Sequence, residues 1–123
     1  MSASILKSTI LELISDVKEN VSRTQDEKAD MMLVEFFFNR LHPELVQQNV
    51  IKAVLPHKTK IENRDEDFFL ENKFLFSGLP QDRLEYYMEK IKSDDYIDKD
   101  NRKVIYDYLD LIIKIAENNK KSV

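Results

Sequence analysis

The chain contains no cysteine, which excludes disulfide scaffolds, thiolate zinc sites and cysteine nucleophiles. It contains one glycine, Gly78, and three prolines, Pro43, Pro56 and Pro80. A single glycine cannot build a glycine-rich phosphate cradle. Sheet proteins need many tight turns, commonly made with Gly or Pro. So few breakers, among many Lys, Glu, Leu and Ile, favour a helical fold. No apolar run approaches the ~18 residues that a transmembrane helix needs. Met1 to Lys7 lack a basic region followed by a long apolar run, which argues against a signal peptide. Residue 2 is Ser rather than Gly, and no Cys stands at the C-terminus, so the common lipidation signals are missing. The expectation is a soluble, intracellular, cytoplasmic protein without membrane contact. A basic excess is missing too. The 19 Lys and Arg against 23 Asp and Glu leave a net charge of −4, which argues against a dedicated nucleic-acid binder.

What is present describes a folded domain. The 123 residues point to one helical domain over 1–119, with a tail at 120–123 that should fray. A chain this long buries roughly two thirds of its unfolded surface, enough for a core without disulfide or metal help. The expected fold class is all-α, a compact bundle of about six helices.

Leu6, Ile10, Leu13, Val17 and Val21, with Ile14, form one apolar stripe of a first helix over about 3–22. Thr24-x-x-Glu27 fits a capping box that opens a second helix running to about Leu41. Ala29, Met32, Leu33, Phe36, Phe37 and Phe38 cover more than half its circumference, so it is expected to be central and buried on more than one side. Pro43 suits the first turn of a third helix, carrying Leu45, Val46, Val50, Ile51 and Val54. A fourth is expected over 58–71 with Ile61, Phe68 and Phe69 inward. A fifth, over 80–92, has Leu84, Tyr87, Met88 and Ile91 at i, i+3, i+4 and i+7. Asp98 caps the last, over 99–118, with Val104, Ile105, Tyr108, Leu111, Ile112, Ile115 and Ala116 inward and Leu109 and Ile113 widening the stripe. The second and last helices are expected to be the central ones.

Tests for chemistry return little. The two histidines, His42 and His57, each adjoin a proline at a helix boundary, and no serine lies on a nucleophile-elbow pattern, so no catalytic residue is assigned. The run from Asp98 to Leu109 starts like a calcium loop. It has Lys103 where the sharp turn needs Gly and Leu109 where the ion needs Glu, so helix capping is the reading. Asp65-Glu66-Asp67 are adjacent on a helix, where successive side chains diverge by about 100° and do not converge on magnesium. No metal and no cofactor are expected. Lys58, Lys60 and Arg64 form a small basic patch, with Lys120 and Lys121 forming another. Tyr86, Tyr96 and Tyr106 fall off the apolar stripes; either they face a partner, or they pack sideways with their hydroxyls in water.

One further pattern runs Lys60-Ile61-x-x-Arg64-Asp65-x-x-Phe68-Phe69, then Phe76-x-x-Leu79-Pro80, a helix, and Asp98 with Val104-Ile105-x-x-Tyr108. It resembles small, uncharacterised helical proteins encoded by large nucleocytoplasmic DNA viruses of algae and amoebae, over about residues 51 to 119. The resemblance implies a viral, intracellular setting and carries no activity, so it transfers no functional residue. The expected function is a non-enzymatic protein-binding or structural protein, self-associating or virion-associated. Its partner-binding rim would be Arg64, Asp65, Asp67 and Glu71. The alternative is a nucleic-acid-binding or replication accessory factor using Lys58, Lys60 and Arg64. A hydrolase with an Asp and Glu metal site is the third class.

Overall fold

A computed structural model describes residues 2–65, 67–68, 73–92 and 96–121. Six α-helices and no strand are found among them. Helix α1 spans Ser2–Asn20. Its stripe of Leu6, Ile10, Leu13, Ile14 and Val17 is buried as the spacing predicts, and Val21 is buried just beyond it. This helix, rather than the second, lies at the centre. It packs against the second, third and last helices.

Helix α2 spans Gln25–Arg40. Thr24 caps it: its hydroxyl accepts the Glu27 N–H at 3.1 Å. The Glu27 carboxylate turns back as a capping box requires, but meets the Arg23 N–H, at 2.9 Å, one residue upstream of the cap. At the other end, Lys7 of α1 donates to the carbonyls of Asn39 and Leu41 at 2.9 and 2.7 Å. A helix C-terminus leaves such carbonyls unpaired and carries partial negative charge, so a lysine there is favourable.

Helix α3 spans Pro43–Ala53, with Pro43 in its first turn. His42 is its cap, accepting the Glu44 N–H on Nδ1 at 3.3 Å. A 3-10 turn, Leu55–His57, leads into α4, Lys58–Glu62. The helix expected over 58–71 therefore stops at Glu62. Arg64 has φ 56°, and its N–H bonds the Ile61 carbonyl at 3.1 Å while the Asp65 N–H bonds the Lys60 carbonyl at 2.8 Å. Those two bonds close a Schellman motif, which ends a helix through a left-handed residue that is usually glycine. Here arginine occupies it, and no glycine signals the stop. Phe68 is buried, with its ring 5.8 Å from that of His57. Glu66, Phe69 and Glu71 lie outside the described residues.

Phe74–Phe76 form a second 3-10 turn, all three side chains buried. The Phe74 ring lies 5.4 Å from Phe38 of α2. Gly78, at φ 89°, turns the chain into α5, Gln81–Lys92. Asp98 then caps α6, Lys99–Lys121, by accepting the Asn101 N–H at 2.8 Å. Helix α6 continues past 118 because Asn119 is buried and donates to Gln47 of α3 at 2.7 Å. Its inward face is Ile105, Leu109, Ile112, Ile113 and Ala116, while Val104 and Leu111 are exposed. The helix is thus turned by about one residue from the expected stripe. Tyr106, buried, takes up the difference. Among the described residues, no helix is long and apolar enough to cross a membrane.

Candidate functional site

The corner after α4 carries the residues singled out by sequence. The Arg64 guanidinium donates to the carbonyls of Ile61 and Tyr106 at 3.1 and 3.4 Å. It also pairs with Asp107 at 3.1 Å and Asp110 at 2.8 Å, and lies 5.2 Å from the centre of the Tyr106 ring. The Tyr106 hydroxyl donates to the Asp65 carbonyl at 2.8 Å. This corner is therefore fastened to α6. The exposed Asp65 carboxylate accepts the Asp67 N–H at 3.0 Å, and Asp67 is exposed beside it.

A second polar cluster lies between α2 and α5, and sequence reasoning missed it. Glu27 and Asp30, one helical turn apart, are both buried. Glu27 accepts the Tyr86 hydroxyl at 2.6 Å on one oxygen and the Tyr96 hydroxyl at 3.2 Å on the other. Asp30 accepts the Tyr87 hydroxyl at 2.8 Å and two bonds from Arg83, at 2.9 and 2.6 Å. Burial alone would raise the Glu27 carboxyl. The bonds from Tyr86, the Arg23 N–H and Tyr96, with the charge of Lys90, outweigh it and hold the group below its ordinary value. Burial pushes the Tyr87 and Tyr96 hydroxyls well above theirs, and the carboxylates beside them push the same way. Tyr86 and Tyr96 thus point neither to a partner nor to water. Their hydroxyls both donate to the buried Glu27 carboxylate, as Tyr106 closes the Arg64 corner. These bonds fasten α5 and Tyr96 to α2, with both Glu27 oxygens engaged and all three Asp30 bonds falling on Oδ2.

The other side of α2 is open. Met32 is 59% exposed, Leu33 49% and Phe36 58%, and Ala29 is exposed with them. At offsets of 0, 3, 4 and 7 from Ala29, these four share one face. The helix is therefore buried on one side only, through Glu27, Asp30, Met31, Val34 and Phe38. The two carboxylates were the available signal, because they mark the side that needs donors. Phe37, at the edge of the open stripe, joins Phe74, Leu79, Leu84 and the Gly78 turn around a cavity of about 640 Å³.

No family model, curated protein or solved structure matches the chain. Among the described residues, no group of three or more His, Asp or Glu side chains is placed to hold a metal ion. Lys58 pairs with Glu117 at 2.8 Å, and that carboxylate raises the ammonium above its ordinary value. Lys60 is half-buried. Lys58 and Arg64 are therefore each paired with carboxylates of α6. A different group of cations, Lys99, Arg102 and Lys103 with Arg64, surrounds a cavity of about 340 Å³ floored by Tyr106, with Asp100 as the acid in its described lining.

Proposed function

We propose that this chain is a non-enzymatic protein-binding or structural protein and that the outer face of α2 is its docking surface. The observation that supports it is the exposed stripe of Ala29, Met32, Leu33 and Phe36. Three large apolar side chains, each about half exposed and adjacent on one helix, form a contiguous patch rather than scattered singles. Such patches mark binding surfaces. Helix-in-groove and helix-on-helix recognition use this i, i+3, i+4, i+7 array. The tyrosine and arginine donors bonded to Glu27 and Asp30 support a structural role for the buried acids. The same proposal places the chain inside a cell, in the host cytoplasm or a virion if it is virus-encoded. The exposed Asp65 and Asp67 form a secondary contact rim.

Affinity capture from the source cell with wild type and Phe36→Asp tests this reading. Binding should be lost with Phe36→Asp while the thermal melt, followed by circular dichroism, stays close to wild type. Capture that is indifferent to the substitution would count against the surface. The ring of cations around Lys99, Arg102 and Lys103 favours the second reading, nucleic-acid binding. On that reading, random DNA or RNA should bind in a salt-sensitive manner and Lys99→Glu should weaken it. No binding at low salt would remove it.

A further inference from the structure

We infer that the partner of the α2 outer face is a second copy of the chain, with the two α2 helices packed antiparallel about a two-fold axis at Leu33. This rests on the proposal that the face is a docking surface, and adds the identity and geometry of the partner. Asp26, Ala29, Leu33, Phe36 and Arg40 recur along α2 at steps of 3, 4, 3 and 4. That is the seam spacing of a two-helix coiled coil. Asp26 and Arg40 are exposed, and neither has an ion-pair partner among the described residues.

The seam complements itself only when reversed. Turned end for end about Leu33, it sets Asp26 against Arg40 of the second copy, and Arg40 against Asp26. Ala29, the smallest member, four residues before the axis, then lies within one residue's rise, about 1.5 Å, of the level of Phe36, the largest, three residues after it, on both sides of the axis. Small against large is how a seam interdigitates without voids. The parallel alternative stacks like charge on like charge at both ends and Phe36 on Phe36. Arg40 is already held near this seam, with its guanidinium 5.3 Å from the centre of the Phe36 ring. A two-fold contact is closed, so assembly stops at the dimer. Helix α2 has sixteen residues, and the seam covers about 21 Å of it. It falls at or below the roughly 800 Å² per partner of a standard interface, so the dimer is weak and concentration-dependent.

Sedimentation equilibrium of the full chain, from micromolar to millimolar concentration, tests the inference. Wild type should pass from monomer to dimer and go no further. Leu33→Asp, at the axis, should stay monomeric throughout. Asp26→Arg and Arg40→Asp should each raise the dimer dissociation constant roughly tenfold, because each turns two attractive pairs into two repulsive ones. The double variant should return to the wild-type constant. Lost helix stability cannot mimic that rescue, since the double variant reverses both favourable contacts with the helix dipole. A wild type that stays monomeric, a dimer indifferent to Leu33→Asp, or a double variant weaker than either single one overturns the inference. If wild type is monomeric but Phe36→Asp still abolishes capture of a different protein, only the second-copy assignment falls. If neither dimer nor Phe36-dependent capture is seen, the docking surface falls with it.

Discussion

Gly78→Ala is the perturbation whose size the structure sets most directly. Gly78 has φ 89°, where L side chains are disfavoured, and any Cβ there meets Phe37 at once. An added Cβ would lie 2.6 Å from the Phe37 Cβ, 2.7 Å from its Cγ and 3.0 Å from its Cδ1. The first contact matters most, because the Phe37 Cβ is fixed by the backbone of α2 and cannot swing away. The turn or the helix has to move. The backbone conformation contributes about 1 to 2 kcal/mol of destabilisation. Overpacking adds about 1 to 3 kcal/mol. Against these, alanine restricts the unfolded chain and returns about 0.4 to 1 kcal/mol. The net expectation is a loss of about 1 to 5 kcal/mol.

Urea unfolding followed by circular dichroism would measure it, with the slope unchanged if the same surface is exposed. Phe37→Ala separates the two causes. It removes the Cγ and Cδ1 contacts but leaves the Cβ contact and the dihedral, so a double-mutant cycle should recover only about 1 kcal/mol of the Gly78→Ala loss. A Gly78→Ala protein within about 0.5 kcal/mol of wild type would show that the turn yields freely, and would refute the reasoning.

The buried cluster and the Arg64 corner give the remaining predictions. Asp30→Ala leaves the buried Tyr87 hydroxyl without its acceptor and should destabilise by about 1 to 3 kcal/mol, while Asp30→Asn, which keeps an oxygen for that hydroxyl, should lose less in the same urea assay. Glu27 is held below its ordinary 4.5, so its contribution is present above that pH and is lost as pH falls through the depressed value; Glu27→Gln should flatten the acid limb of stability against pH. Tyr86, Tyr87 and Tyr96 are raised above the ordinary 10.0, so their contribution is full below pH 10.0 and declines above it, and ultraviolet difference absorbance should show these hydroxyls ionising together with unfolding. Arg64→Gly should be more stable than Arg64→Ala by about 1 kcal/mol, since both lose the guanidinium contacts but only glycine relieves the left-handed backbone; calorimetric melting that ranks them in reverse would contradict the Schellman assignment.

How far the sequence reaches differs from helix to helix, for physical reasons. Helix α1 has a single apolar stripe and a polar remainder, so its pattern has one solution, and the structure buries that stripe. Capping by Thr24 and Asp98 was legible because it depends on residues three apart. The outer face of α2 was not, because a helix apolar around most of its circumference does not reveal which part is covered. The end of α4 was hidden because arginine takes a conformation whose usual sign is glycine. The Tyr86, Tyr87 and Tyr96 bonds to Asp30 and Glu27 join residues 59, 57 and 69 apart in the chain. No local pattern encodes a pairing at that distance. The Arg64 guanidinium contacts on α6 lie more than 40 residues away in sequence, so the charge of Arg64 is legible locally and its partners are not.

The buried acids and the open stripe on α2 belong to one argument. The inner face offers Met31, Val34 and Phe38, and the outer face Met32, Leu33 and Phe36. The two sets are nearly equal in size and hydrophobicity. Hydrophobic burial is non-directional and roughly proportional to area, so it barely distinguishes one rotation of α2 from the other. Glu27 and Asp30 do distinguish them. Turning the helix by half a revolution would move both carboxylates away from Tyr86, Tyr87, Tyr96 and Arg83. The buried Tyr87 hydroxyl and the Arg83 charge would then lose their acceptors, a penalty larger than any difference between the two apolar faces. A buried ion pair adds little net stability compared with an apolar replacement. Here it acts on orientation: by fixing which side of α2 faces the core, Glu27 and Asp30 fix that Ala29, Met32, Leu33 and Phe36 face outward.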